Sequence, residues 1–394
     1  MSRDGAEVVA ATASSPAAGG RATLGGWLSN RPEDRDALAI WLLSRVSIVV
    51  IASATGLLFA VNGQDVVGWL DRWVQWDFHH YRGIATHGYG GEPTGVPNEA
   101  FFPGLPGLLW FGAQLGISHV VTGLLVSLVT GGVAAVALSR LATLDGGPRA
   151  GRLAVLAWVC APPAVFLAAP YTEALFVACA LPAWLAARRG HWLAAGVLAG
   201  LACTVRVSGI FLVVAVGVHW LATRRTTRDW SGFGWLFLPL VPLGAWMIYL
   251  KNLTGNWLAW LDAQAQEWNR EFTWPWDAWA NTWRAAFGGG QSPGFAWMFA
   301  AEIVAILVGA ALTVGLVWWR RWGEATWVGL QVIAFATSYW FFSVPRATLL
   351  WWPLWIAVGV AAARRRWVLW VYLAVSAPLM CVWVVVFLTG RWAG

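Results

Sequence analysis

The chain alternates long apolar runs with short basic or polar breaks, and this alternation predicts its elements. Runs long enough to cross a bilayer as a helix, which takes about 20 apolar residues, lie near 38–60, 119–141, 153–170, 231–250, 296–318, 325–343, 347–363 and 367–389. Three shorter runs, near 173–187, 191–205 and 208–222, suit only a thinned or funnel-shaped part of a membrane. The pattern therefore predicts an all-α polytopic membrane protein of about 11 transmembrane helices. Residues 1–36 are Ala, Gly, Ser and mixed charge without the apolar core of a signal peptide, which predicts a disordered cytoplasmic tail. Residues 37–394 are expected to form a single transmembrane domain.

Arginines orient the spans, because basic loops stay in the cytoplasm. Of 26 basic residues, 17 fall in the tail or in the clusters Arg140/Arg149/Arg152, Arg188/Arg189, Arg224/Arg225/Arg228, Arg320/Arg321 and Arg364/Arg365/Arg366. All of these share one side only if residues 101–117, with Pro103 and Pro106 at their start, do not cross. Prolines break the backbone ladder, so a re-entrant or interfacial helix is expected there. The long outer loops are then 62–118 and 251–295, and functional residues are sought in them.

Composition narrows the class. With 59% hydrophobic and 11% charged residues and a mean hydropathy of +0.60, the chain is excluded as a soluble enzyme. The net charge of +7 would point to nucleic acid in a soluble protein; here the arginines serve as topology markers, and no nucleic-acid partner is implied. Cys160, Cys179, Cys203 and Cys381 all sit in apolar runs, against both a disulfide framework and a zinc site. The 33 tryptophans belong at membrane boundaries, with a denser group in the outer loops. A single lysine, Lys251, amid abundant Ala, Gly and Arg points to a GC-rich bacterial genome and a bacterial plasma membrane.

The first outer loop carries Asp77, His79, His80, Tyr81, Arg82 and His87 close behind Trp73 and Trp76. On a helix, Asp77 would project between aromatic rings at the outer leaflet, where a carboxylate can accept a proton. The competing reading is an amphipathic helix whose polar face meets water. His79 and His80 are adjacent and point apart, so no metal-ligand pattern is present. Asp71, Glu92 and Glu99 read as solvated loop charges. Glu173 stands at the outer end of a helical hairpin, where a carboxylate is costly enough to be a functional candidate, or else simply favours its own helix dipole. Arg206 interrupts two short apolar runs; its planar fork suits phosphate oxygens, or it forms a salt bridge to Glu173. Arg346, after Ser343-Val344-Pro345, has the same standing, with snorkelling as its alternative. In the second loop Trp257, Trp260, Gln264 and Trp268 fall at helical spacing, a stripe for sugar rings or polyprenyl chains, or for the headgroup layer.

These residues carry a resemblance. Trp76-Asp77, His80-Tyr81, Ile84-Ala85, Gly88-Tyr89 and Phe101-Phe102-Pro103 resemble the signature of the PIG-V-type mannosyltransferases, the family of the enzyme that adds the second mannose to GPI anchors. Pro170-Tyr171-Thr172-Glu173 and Phe176 are similar to its second motif. Gly200 to Gly209 is similar to its Arg-Pro-Thr-Gly segment, with Val207 where proline is usual. Pro345-Arg346 and Trp352-Pro353-Leu354 resemble its late elements. The resemblance implies a GT-C fold and an inverting transfer of mannose from a polyprenyl-phosphate donor to a lipid or glycolipid acceptor on the outer face. It implies Asp77 as base, with Glu173 orienting the acceptor or sharing that role. Arg206, Arg346, His79, His80, Tyr81 and Tyr171 are then candidates for the donor phosphate and sugar. No cofactor or metal is implied. The rival class is a transporter or flippase of lipid-linked sugars, which would carry charges at mid-membrane and repeated halves. Here the spans are nearly free of Asp, Glu and Lys apart from Glu302. A purely accessory subunit would have no reason to gather Trp76-Asp77, Tyr171-Thr172-Glu173 and Arg206 on one side.

Overall fold

The structure is a computed structural model that describes residues 31–58, 68–90, 97–228, 230 and 232–394. Among these it is helical, with no strand. In chain order the helices are α1 (Pro32–Leu58), α2 (Asp77–His87), α3 (Gly104–Gln114), α4 (His119–Val159, broken into two helices at Gly147, φ 80), α5 (Thr172–Arg188), α6 (Trp192–Cys203), α7 (Ser208–Thr227) and α8 (Leu240–Thr254). They continue as α9 (Ala259–Trp268), α10 (Pro275–Phe287), α11 (Pro293–Trp318), α12 (Trp322–Ala336), α13 (Val344–Ala347), α14 (Trp352–Arg364) and α15 (Arg366–Leu388).

The bundle is apolar inside and out. On α1, Trp41, Arg45, Ile48 and Ala52 recur at helical spacing and pack inward, while Leu43, Val46 and Val50 stay exposed. A surface of this kind is stable only in lipid. In contrast, 13 of the 17 residues of α5 are buried, so this helix is surrounded by protein. It packs between α4 and α6, and α14 lies along α4. The α4–α14 crossing is close because a Cβ at Gly359 would sit 2.6 Å from the Ala150 carbonyl oxygen.

By length and composition five segments can cross a bilayer: α1, α4, Phe233–Thr254, α11 and α15; Val344–Leu350 with α14, bent by 70°, makes a sixth. The other predicted runs are also helical but shorter. α6, with 12 residues, is about 18 Å long against a hydrocarbon core of about 30 Å. α3, with 11 residues, reaches about half that thickness, so 101–117 forms a helix too short to cross, as its prolines predict.

Three runs depart from the expected spans. The run at 153–170 stops at Val159, because Pro162 and Pro163 lead into a 3-10 turn, Pro162–Leu167. The run at 325–343 stops at Ala336, and the run at 347–363 is broken at Trp351. Irregular backbone of this kind is tolerated where it lines a cavity, as Phe342 and Ser343 do after the second break. The tail boundary also moves. Residues 1–30 lie outside the described residues, and residues 32–36 form the first turn of α1 instead of a disordered segment. Asp34 accepts 2.9 and 2.6 Å bonds from Arg140, and Asp36 pairs with Arg152 at 3.2 Å, which anchors that turn. Glu92 and parts of the first outer loop lie outside the described residues as well.

Candidate active site

The site is assembled where helices begin. α2 opens on Asp77, directly after Trp76, which is held at φ 45, ψ −118, a backbone state that a bulky residue adopts only under constraint. The Trp76 indole donates to the Arg391 carbonyl at 3.3 Å, and Tyr171 donates its hydroxyl to the Gln75 carbonyl at 2.6 Å, so both sides of the turn are tied. The inward face of α2 buries Phe78 and Tyr81, which leaves Asp77 at the rim with its side chain 22% exposed.

Arg346 is the hub. Its Nη1 donates to Asp77 Oδ2 at 2.6 Å, and its Nε donates to Glu173 Oε1. The guanidinium lies over the rings of Phe166 and Tyr171, at 4.9 and 4.7 Å from their centroids. Arg206 Nη1 donates to the same Glu173 Oε1 and to Thr172 Oγ1 at 2.8 Å. The expected alternative for Arg206, a salt bridge to Glu173, is therefore present, yet Arg206 also lines the cavity. Glu173 itself is fully buried behind the two arginines. The turn that carries Arg206 is docked by the Gly104 amide, which donates to the Thr204 carbonyl at 2.7 Å. A Cβ at Gly104 would come within 2.9 Å of that oxygen, so the approach needs glycine.

These groups face a cavity of about 290 Å³. One wall is polar, with Asp77, Tyr81, Thr172, Arg206, Ser343 and Arg346; another is aromatic, with Phe101, Phe102, Trp268, Phe342 and Trp392. Burial, and then the charge of Asp77, push the Tyr81 phenol above its ordinary range, leaving it a neutral donor beside Thr172. His80 stacks on Phe101 at 4.8 Å behind that wall. His79 is exposed and outside the lining, so the structure separates it from the other predicted residues. Tyr171 is fully buried and acts through the bonds described above.

α9 folds back so that Gln264 and Trp268 of the aromatic stripe line the cavity, and with them Glu267 and Arg270, to which the sequence pattern assigns no role. Backbone bonds from Thr273 to Thr337 (2.9 Å) and from Tyr339 to Asn269 (3.3 Å) hold this second outer loop over the site. Arg270 has no ion-pair partner among the described residues, and its Nε is buried without a hydrogen bond. Burial, and then the neighbouring guanidinium of Arg206, push it down to about 10 against the opposing charges of Glu302 and Asp77, and its guanidinium lies 5.4 Å from the centroid of the Phe335 ring. Among the described residues no three metal-ligating side chains come together.

No family profile matches the chain. It is similar to GPI alpha-1,6-mannosyltransferase 2 of Mus musculus, 39% identical over 158 residues, covering 37% of this chain and 31% of that protein. The Homo sapiens protein of the same name is 34% identical over 161 residues, 38% of this chain and 32% of its own length. The match thus spans about a third of the length of these curated relatives. A crystal structure of ArnT from Cupriavidus metallidurans bound to undecaprenyl phosphate aligns over 88% of this chain and 76% of its own, at 16% identity and a TM-score of 0.41.

Proposed function

We propose that this multi-pass membrane protein is an inverting mannosyltransferase of the GT-C class, moving mannose from polyprenyl-phosphate mannose to a lipid or glycolipid acceptor on the outer face of a bacterial plasma membrane. The observation that carries this reading is one cavity with a partly exposed carboxylate, Asp77, on one side and, on another, Arg270, a guanidinium that makes no ion pair among the described residues. The similarity to GPI alpha-1,6-mannosyltransferase 2 supports the same activity.

Transfer requires that the acceptor oxygen bond to the anomeric carbon as the bond from that carbon to the phosphate oxygen breaks. The acceptor proton goes to Asp77, which Arg346 orients through Oδ2 while Oδ1 is left to the cavity. The phosphodiester leaves as a monoester, gaining one unit of negative charge, and positive groups on that oxygen lower the barrier. Arg270 supplies that charge, with Arg206 beside it. Arg346 is already engaged by two carboxylates, so its role is to hold the base. Glu173 holds Arg206 and Arg346 apart and in register. Displacement of a β-linked donor gives an α-linked product. The aromatic wall stacks on the sugar, and the apolar rim leads the prenyl chain to lipid.

Purified protein in lipid nanodiscs, supplied with radiolabelled polyprenyl-phosphate mannose and a panel of membrane lipids, should form α-mannosidase-sensitive lipid product. Movement of label across sealed liposomes without any product would establish a flippase instead, and full transfer by Asp77→Asn would remove the base assignment.

A further inference from the structure

Glu302 is the one acidic residue that the span pattern leaves unexplained, and it does not line the cavity. It lies in α11, fully buried. A buried carboxylate is costly unless its oxygens are bonded, and no arginine bonds this one among the described residues. Its Oε1 accepts the Ser343 amide at 2.8 Å and its Oε2 the Val344 amide at 2.7 Å.

Those amides open α13, the four-residue turn whose third residue is Arg346. The first residues of a helix have N–H groups without internal partners, and Pro345 next in line has none to offer. Ser343 stands at φ +67, in the left-handed region that a residue with a side chain keeps only when its surroundings hold it. The carboxylate of a neighbouring helix therefore fixes the conformation from which Arg346 reaches out.

We infer that Glu302 is a positioning residue for the reaction, clamping the Ser343–Val344 turn so that Arg346 meets Asp77 and Glu173 together. This rests on the transferase reading above for its consequence, although the clamp itself does not. Asp77 has Arg346 as its ion-pair partner, so a turn that drifts by an ångström frees the base from its orientation, and misplacement on that scale costs on the order of a hundredfold in rate.

Two measurements on Glu302→Gln test it. The amide side chain can accept from only one of the two N–H groups and turns a donor toward the other. Hydrogen exchange read by mass spectrometry should accelerate about tenfold or more at 341–347, with α11 and α12 protected as before. In transfer, kcat should fall on the order of tenfold to a hundredfold with donor KM within about threefold, and the same change in an Arg346→Lys background should cost less than about threefold. Unchanged exchange at 343–344, or an equal loss in both backgrounds, overturns the proposal. If E302Q does not fold, Glu302→Asp keeps the charge and withdraws it by one methylene, and the same outcomes decide. Should the unsubstituted protein transfer no sugar, the function reading fails and the exchange experiment judges the clamp alone.

Discussion

Two clusters, each of two carboxylates and two arginines joined by ion pairs, are wired differently. At the end away from the cavity, Asp145 and Glu324 each bond both Arg188 and Arg321: Arg188 at 2.9 and 3.8 Å, Arg321 at 2.7 Å to Asp145 and in direct contact with Glu324. The Trp184 indole adds a 3.3 Å bond to Glu324. This is a ring of ion pairs in which each carboxylate faces both arginines. At the cavity end, Glu173 takes both arginines but Asp77 takes one, so the chain of bonds ends on an open carboxylate. Size does not separate them, since the space beside the closed ring, about 410 Å³, exceeds the 290 Å³ of the site. What separates them is whether bonding capacity is left over. A closed ring holds helices together, whereas an open end can act on something else.

The comparison breaks first at Asp77. Asp77→Asn keeps the shape and removes the proton acceptor, and kcat should fall about a thousandfold, within the range for general bases, with thermal stability little changed. Near-normal turnover in a labelled-mannose assay would make the open end irrelevant. Arg270 comes next. Arg270→Ala removes the guanidinium that makes no ion pair among the described residues, and donor KM should rise about 10- to 100-fold, as expected for one charge-assisted bond to phosphate; Arg270→Lys should recover part of the loss. An effect confined to acceptor KM would move Arg270 to the other substrate.

The span pattern and arginine clusters made the all-helical bundle legible, and Asp77, Glu173, Arg206, Arg346, Tyr81 and Tyr171 converge on one locus as their motifs implied. What escaped was local in origin. Hydropathy treats 153–170, 325–343 and 347–363 as unbroken, because Val, Ala, Phe and Trp are as apolar in a turn as in a helix; yet the first break delivers Tyr171 and the second delivers Ser343 and Arg346. Arg270 was hidden for another reason. It sits in a loop dense in tryptophan and charge, and only the long-range pairing of 269–273 with 337–339 turns it toward the cavity.

The closed ring supplies the reciprocal test. Glu324→Gln leaves Arg321 and Arg188 short of a buried counter-charge, and a partner lost from a buried pair costs about 3 kcal/mol. Unfolding should shift by that amount while kcat per folded molecule stays within about twofold of the unsubstituted value. A large fall in kcat without loss of stability would mean that the two ends are coupled through α5, which runs from Glu173 at one cluster to Arg188 at the other.

The smallest effect is expected at His79, and it separates wiring from proximity. His79 lies two residues from Asp77 on the same helix, yet its ring is exposed and outside the cavity lining. Partial desolvation, and then the nearby Arg82, hold its pKa below the usual histidine range, which disfavours the charged ring. His79→Ala should therefore change kcat/KM by less than about twofold, and its rate profile should overlay that of the unsubstituted protein from about pH 5 to about pH 8. A lost inflection in that window would put His79 in the proton path. Closeness in sequence to the open carboxylate would then matter more than the bonds that the structure shows.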